Sequence, residues 1–80
     1  MSYLGEAIKQ RRAERSMSLQ DVADEAKLSK THVWDLERGR SRNPSVKSLL
    51  DLSAALDIDP TILAGLAFAD LPGVVTKRRS

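Results

Sequence analysis

LQDVADEAKLSKTHVWDLE, residues 19–37, is the stretch whose reading decides the fold. Ser18 precedes it and Asp21 follows three residues later, an S-x-x-D pattern in which each residue can satisfy the other's backbone N–H at a helix start. Ser29 is a second capping residue, eleven positions on. Between the two caps, Val22, Ala23 and Ala26 recur at helical spacing. Leu28, just before the second cap, and Val33 and Leu36 after it continue that apolar face, while Lys30, Thr31, His32 and Asp35 fall on another side. The pattern predicts two short helices, residues 18–26 and 29–38, joined by a corner at Lys27 and Leu28. Helices this short do not persist alone in water, because nucleation is costly and few hydrogen bonds repay it. Neighbours must therefore hold them, and the polar face of the second is left for something else.

Working outward, residues 4–15 carry Leu4, Ala7, Ile8 and Arg11 on one helical stripe, with Ser2 as the cap and no proline to interrupt. Met17 in the following connection is expected to turn inward. Gly39 stands where a helix ending at residue 38 would need a left-handed residue. Residues 40–44 read as a loop. Ser45 caps a fourth helix, residues 46–56, whose apolar set (Val46, Leu49, Leu50, Leu52, Ala55, Leu56) is wider than a surface helix requires. After a turn at Asp57 and Ile58, Asp59 caps a fifth helix that starts at Pro60, where a fixed φ suits the first turn, and runs to about Phe68. Pro72 and Gly73 break regular structure. Five short helices and no strand pattern predict an all-α domain over residues 1–71, with a flexible basic tail at 72–80.

Composition narrows the function. The chain has 80 residues, enough for one small hydrophobic core, and its 41% hydrophobic content includes only one Trp, one Tyr and one Phe, so the core is aliphatic. With no cysteine there is no disulfide framework and no thiolate metal site, and a single histidine cannot build a zinc site. No metal and no cofactor is expected. No apolar run is long enough to span a membrane, and the N-terminal stretch lacks the apolar segment of a signal peptide, so a cytoplasmic protein is expected. No nucleophile–base pair or phosphate loop is visible, which argues against an enzyme. The net charge is only +2, but the charges are segregated. Lys9, Arg11, Arg12 and Arg15 lie in the first helix, Arg38, Arg40, Arg42 and Lys47 follow the central pair, and Lys77, Arg78 and Arg79 end the chain. Asp21, Asp24, Glu25, Asp51, Asp57 and Asp59 lie apart from them. Either this is a basic binding face with an acidic back, or it is an ordinary solvated surface.

These pieces, in this order, resemble the Cro/C1-type (XRE-like) helix-turn-helix family of phage repressors and bacterial regulators. The likeness runs over residues 4–63. LGEAIKQRR at 4–12, MSLQDVA at 17–23, LSKTHVWDLERG at 28–39, NPS at 43–45 and LLDLSAAL at 49–56 carry it. Three features depart from the family pattern. Lys27 holds a turn position that is commonly glycine, Leu19 stands where a phosphate-touching glutamine is frequent, and the loop at 40–43 is one residue longer than the commonest form.

The resemblance implies a five-helix, lambda-repressor-like DNA-binding domain, acting as a dimeric transcriptional regulator, most simply a repressor, on a palindromic double-stranded operator. Ser29, Lys30, Thr31, His32 and Asp35 match the base-facing positions. Their chemistry suits the major groove: lysine donates to guanine, aspartate accepts from cytosine N4, and threonine donates, accepts or touches a thymine methyl. Histidine donates to a purine acceptor or to a phosphate. Arg38, Gly39, Arg40, Arg42 and Asn43, with Leu19 and Gln20 at the start of the preceding helix, match phosphate-contacting positions through side chains or backbone amides. Arg12 and Glu37 are implied to pair, joining the first helix to the end of the recognition helix, although Arg12 could instead reach phosphate, or do both.

Two further residue groups have competing readings. Trp34 is expected to pack on the loop at 40–44 rather than to stack or wedge on DNA. Leu50, Leu63, Leu66, Phe68 and Leu71 exceed what a small domain easily hides. Either a twofold homodimer covers them or they close the monomer core. The alternative to a DNA reader is an antitoxin-like protein-interaction module, in which a partner protein is the main ligand and DNA secondary.

Overall fold

Every helix start carries its own cap. The computed structural model describes residues 2–41 and 44–71. It contains α1 (Tyr3–Glu14), α2 (Leu19–Ala26), α3 (Lys30–Glu37), α4 (Val46–Leu56) and α5 (Pro60–Ala69). Ser2, Ser18, Ser29, Ser45 and Asp59 each accept a backbone N–H from the first turn that follows. At α2 the cap is reciprocal: Asp21 N–H donates to Ser18 Oγ at 3.0 Å, and Ser18 N–H donates to Asp21 Oδ2 at 2.8 Å. Asp59 accepts from both the backbone and the hydroxyl of Thr61, which hold its carboxyl below the ordinary aspartate range. The helices differ from the sequence expectation by about one residue at their ends, because capping residues are only half inside a helix.

The helix ends are as regular as the starts. At α1, α2 and α3 the closing pair of hydrogen bonds is the Schellman arrangement. For α3, Gly39 N–H reaches Leu36 O at 3.2 Å and Arg40 N–H reaches Asp35 O at 2.9 Å. The residue that reverses the chain has positive φ at each of four ends: Ser16 (54°), Lys27 (58°), Gly39 (76°) and Asp57 (56°). Only one of these is glycine, so three ends hold a side chain in the left-handed region at a cost of roughly 1 kcal/mol each. Lys27→Gly is therefore expected to raise stability by about 0.5 kcal/mol, the strain relieved being partly offset by a freer unfolded chain. A thermal melt should show a rise of a few degrees, with DNA affinity unchanged.

The core is aliphatic, as the composition implies. Leu4 and Ile8 of α1, Val22, Ala23 and Ala26 of α2, Val33 and Leu36 of α3, Leu52, Ala55 and Leu56 of α4, and Leu63 and Ala67 of α5 form one cluster. Met17, Leu19, Leu28, Leu49, Ile58 and Leu66 close its edges. Helix α2 packs on α3 and α4, α4 packs on α5, and α1 lies across α3, α4 and α5. Among the described residues no helix is long and apolar enough to cross a membrane.

Two polar ties bind distant parts of the chain. Asp70, at the end of α5, accepts from Ser2 Oγ (2.6 Å), Tyr3 N–H (2.8 Å) and Leu4 N–H (3.1 Å), placing a carboxylate at the positive end of α1. Arg11 donates from Nε to Leu56 O at 2.9 Å and from Nη2 to Asp57 O at 3.2 Å, and Arg15 Nη1 approaches Ala55 O at 3.5 Å. These arginines sit at the negative end of α4, where orphan carbonyls need donors. Of the cations of the first helix, Arg11 is thereby drawn to the end of α4, while Lys9 and Arg15 remain exposed.

Candidate nucleic-acid interface

Helix α3 has eight residues, and its period of about 3.6 residues per turn assigns each side chain a direction. Val33, Leu36 and Glu37 are buried against the rest of the fold. Thr31, Asp35 and Arg38 stand on the opposite side. Lys30 and Trp34 flank them on one edge, and His32 flanks them on the other. Lys30, Thr31 and Arg38 are exposed, and Asp35 is half-buried. Ser29 is exposed too, with its Oγ accepting the His32 N–H at 3.0 Å as the cap.

His32 departs from the expected base-facing set. Its ring is half-buried, and Nε2 is sealed from solvent without a hydrogen-bond partner among the described residues. A nitrogen in that position cannot reach a base edge without the ring swinging out. Position 32 lies one turn before the fully buried Leu36, on the same row of the helix, and this draws the ring inward.

Helix α3 is anchored at its C-terminal end. Glu37 is almost wholly inside, its side chain 5% exposed, and Arg12 meets it in a bidentate fork, Nε to Oε2 at 2.6 Å and Nη2 to Oε1 at 3.0 Å. The remaining arm, Nη1, donates to Met17 O at 3.0 Å. The hydrogen bond to Glu37 raises the Arg12 pKa above its ordinary value, against the opposing effect of burial and with further help from the Glu37 charge. With each nitrogen of its guanidinium making one hydrogen bond within the protein, Arg12 is a joint between α1 and α3; its side chain is still 20% exposed, with two N–H groups beyond those three bonds.

The loop after α3 presents its cations differently from the expectation. The backbone N–H groups of Gly39, Arg40 and Ser41 all point back to carbonyls of α3, at 3.2, 2.9 and 3.4 Å. These amides close the helix, so the expected amide contacts of Gly39 and Arg40 would compete with those bonds, whereas the side chains of Arg38 and Arg40 are exposed as expected. Arg38 and Arg40 are exposed, with their guanidinium carbons 5.1 and 5.8 Å from the centre of the Trp34 ring. Arg42 and Asn43 lie outside the described residues, as does the tail at 72–80. Gln20 is exposed, with Nε2 donating to Asp24 Oδ1 at 2.8 Å. Leu19 is half-buried, and only its backbone N–H could meet a phosphate.

Sequence reasoning gave Trp34 a packing role on the loop. The structure leaves it 43% exposed, forming with Leu19, Lys30 and Thr31 the walls of a cleft of about 420 Å³. Arg40, the first residue of that loop, does lie over the ring, and the helical period puts residue 34 at the edge of the outward face, as it does residue 32.

The residues named for a subunit interface divide. Leu63 is fully buried and belongs to the monomer core, because it faces inward on α5 between Leu56 and Ala67; it cannot also cover an outer surface. Leu66 and Leu71 are half-buried. Leu50 (52% exposed) and Phe68 (62%) are on the outside, joined by Val46 and Ile62, which the sequence reading did not single out. The α4–α5 seam holds an apolar hollow of about 220 Å³ lined by Val46, Leu49, Leu50, Pro60, Thr61 and Ala64.

Known proteins of this shape share more than the fold. Residues 8–63 match the family model described as helix-turn-helix. The transcriptional regulator SinR of Bacillus subtilis (strain 168) is 38% identical over 55 residues, covering 69% of this chain and 50% of SinR, so this chain spans about half the length of that relative. The crystal structure of SinR, a master regulator for biofilm formation, in complex with DNA superposes with a TM-score of 0.72 at 36% identity, covering 76% of this chain and 97% of that one. The restriction-modification controller protein C.AhdI from Aeromonas hydrophila gives 0.71 at 31% identity, covering 76% and 91%. On the match over residues 8–63, together with five helices arranged as in these proteins, the chain belongs to the helix-turn-helix family of the Cro/C1 type.

Proposed function

We propose that the chain binds double-stranded DNA sequence-specifically as the reading domain of a transcriptional regulator, with α3 in the major groove. The observation that carries this is the outer face of α3. Lys30 and Thr31 stand exposed beside Asp35, on a helix fixed from behind by the Arg12–Glu37 fork, and Arg38 and Arg40 extend from its end. Groove-facing side chains specify bases, and flanking cations position the helix on the backbone. The DNA complex of SinR supports the same reading.

Repression by a homodimer is the natural form of this activity. Val46 and Leu50 of α4 and Ile62 and Phe68 of α5 are exposed apolar side chains of the kind a twofold partner would cover. Two copies would set their α3 helices one DNA turn apart, roughly 34 Å, on a palindromic site. The same exposed apolar side chains support a second reading, in which a different protein is the chief ligand. Selection of binding sites from random duplexes, with sedimentation of the free protein, separates the two. A palindromic consensus and a dimer are expected. A monomer that enriches no sequence would overturn the DNA reading and favour the partner protein.

Once a site is selected, Lys30→Ala and Thr31→Ala should each cost about 1–3 kcal/mol on it and relax preference at one position. Arg40→Ala should weaken binding to all sequences alike and reduce the slope of log affinity against log salt by about one. Equal losses on random DNA from all three variants would remove Lys30 and Thr31 from base reading.

A further inference from the structure

We infer that Trp34, with Leu19 and Thr31, forms a specificity site for the C5 methyl group of a pyrimidine in the major groove. This rests on the DNA-binding reading and deepens it by naming the group that Trp34 and Leu19, beside Thr31, would recognise. The cleft lies beside the outward face of α3, so a duplex seated on Thr31 and Asp35 passes over it. Among the described residues its walls are Trp34, Leu19, Thr31 and Lys30, of which only Lys30 is charged. An exposed indole on a groove-facing helix has few partners in a duplex. The bases are stacked, so insertion between them would cost a few kcal/mol of unstacking. Arg38 and Arg40 already lie over the ring, and the part of the indole that lines the cleft is what remains to meet the DNA. The one apolar group that bases project into the major groove is the methyl at C5 of thymine, carried also by 5-methylcytosine. The neighbouring cations Lys30, Arg38 and Arg40 would draw the phosphates on either side and bring that methyl to the cleft.

Deoxyuridine differs from thymidine only by this methyl and keeps every hydrogen-bonding group, so it isolates the contact. In a duplex taken from site selection, each dT is replaced in turn by dU, and in a second series each dC by 5-methyl-dC. The wild-type protein is expected to lose about three- to tenfold in affinity at one thymine per half-site, the scale of burying a single methyl. The loss should vanish for Trp34→Ala and persist for Trp34→Phe, which keeps an apolar edge. A gain confined to one 5-methyl-dC, absent in Trp34→Ala, would support the same cleft with methylated cytosine as its ligand. A flat response in both series, or a dU penalty that persists undiminished in Trp34→Ala, would overturn the inference. Leu19→Ser, read in the same way, covers the case in which Trp34→Ala does not fold. Failure of the selection to enrich any sequence would instead overturn the DNA reading itself.

Discussion

Arg12→Ala is expected to lower stability by about 3–5 kcal/mol, because it leaves the Glu37 carboxylate buried without its cation. That is a large share of what holds a small domain folded, since such domains are stable by only about 5–15 kcal/mol. The geometry explains why the loss should exceed that of a surface pair. Glu37 is 5% exposed, both its oxygens are held by the fork, and the third arm of Arg12 ties in the carbonyl of Met17 at the start of the next segment. The pair is not by itself evidence of net stabilisation, because desolvation offsets much of the attraction. This gives a second expected result. The double variant Arg12→Met with Glu37→Leu should recover most of the lost stability, since apolar side chains of similar volume need no partner. Urea unfolding followed by circular dichroism measures both. A loss below about 1 kcal/mol for Arg12→Ala would mean that Glu37 finds water when the arginine is gone. If the double variant folds well yet reads its DNA site less sharply, the fork serves chiefly to aim α3.

How much of this was legible in the sequence depended on how far apart the interacting residues lie. Ser2, Ser18, Ser29, Ser45 and Asp59 announce helix starts because a cap acts within three residues of itself. The core stripes followed from period alone. Leu63 did not, because deciding which of the two leucines on α5 faces inward requires knowing where α4 lies. Asp70 reaches Ser2, Tyr3 and Leu4 across more than sixty residues, and nothing local marks an aspartate after an apolar helix as the cap of a different one. Arg11 was grouped with the surface cations for the same reason, although its donors meet carbonyls of the last residue of α4 and of the residue that follows it. The outward face of α3 was readable at Thr31 and Asp35, which lie farthest from Val33 and Leu36. It was ambiguous at His32 and Trp34, the two flanking positions, where small differences in packing send one ring in and leave the other out.

Gly5→Ala is the second large effect, and its direction runs against helix propensity. Alanine in place of glycine inside a helix is ordinarily worth about 1 kcal/mol in favour of folding. At Gly5 an added Cβ would stand 2.5 Å from Leu36 O, 2.6 Å from Glu37 O and 3.0 Å from Glu37 C. All three are backbone atoms at the last turn of α3, so no side chain can rotate away. Either α1 lifts from α3 or the end of α3 shifts, and both break the contact through which Arg12 grips Glu37. A net loss of about 1–3 kcal/mol or more is expected, in line with other overpacked contacts. Because the displaced turn belongs to the helix proposed to read DNA, affinity for a selected site should fall along with stability. The chain holds its own control. Gly65 in α5 has nothing within 4 Å of a Cβ, so Gly65→Ala should stabilise by about 0.5–1 kcal/mol. Thermal melts of the two variants are expected to move in opposite directions. If both rise, α1 and α3 can separate at little cost, and the close crossing at Gly5 is not what fixes the direction in which α3 points.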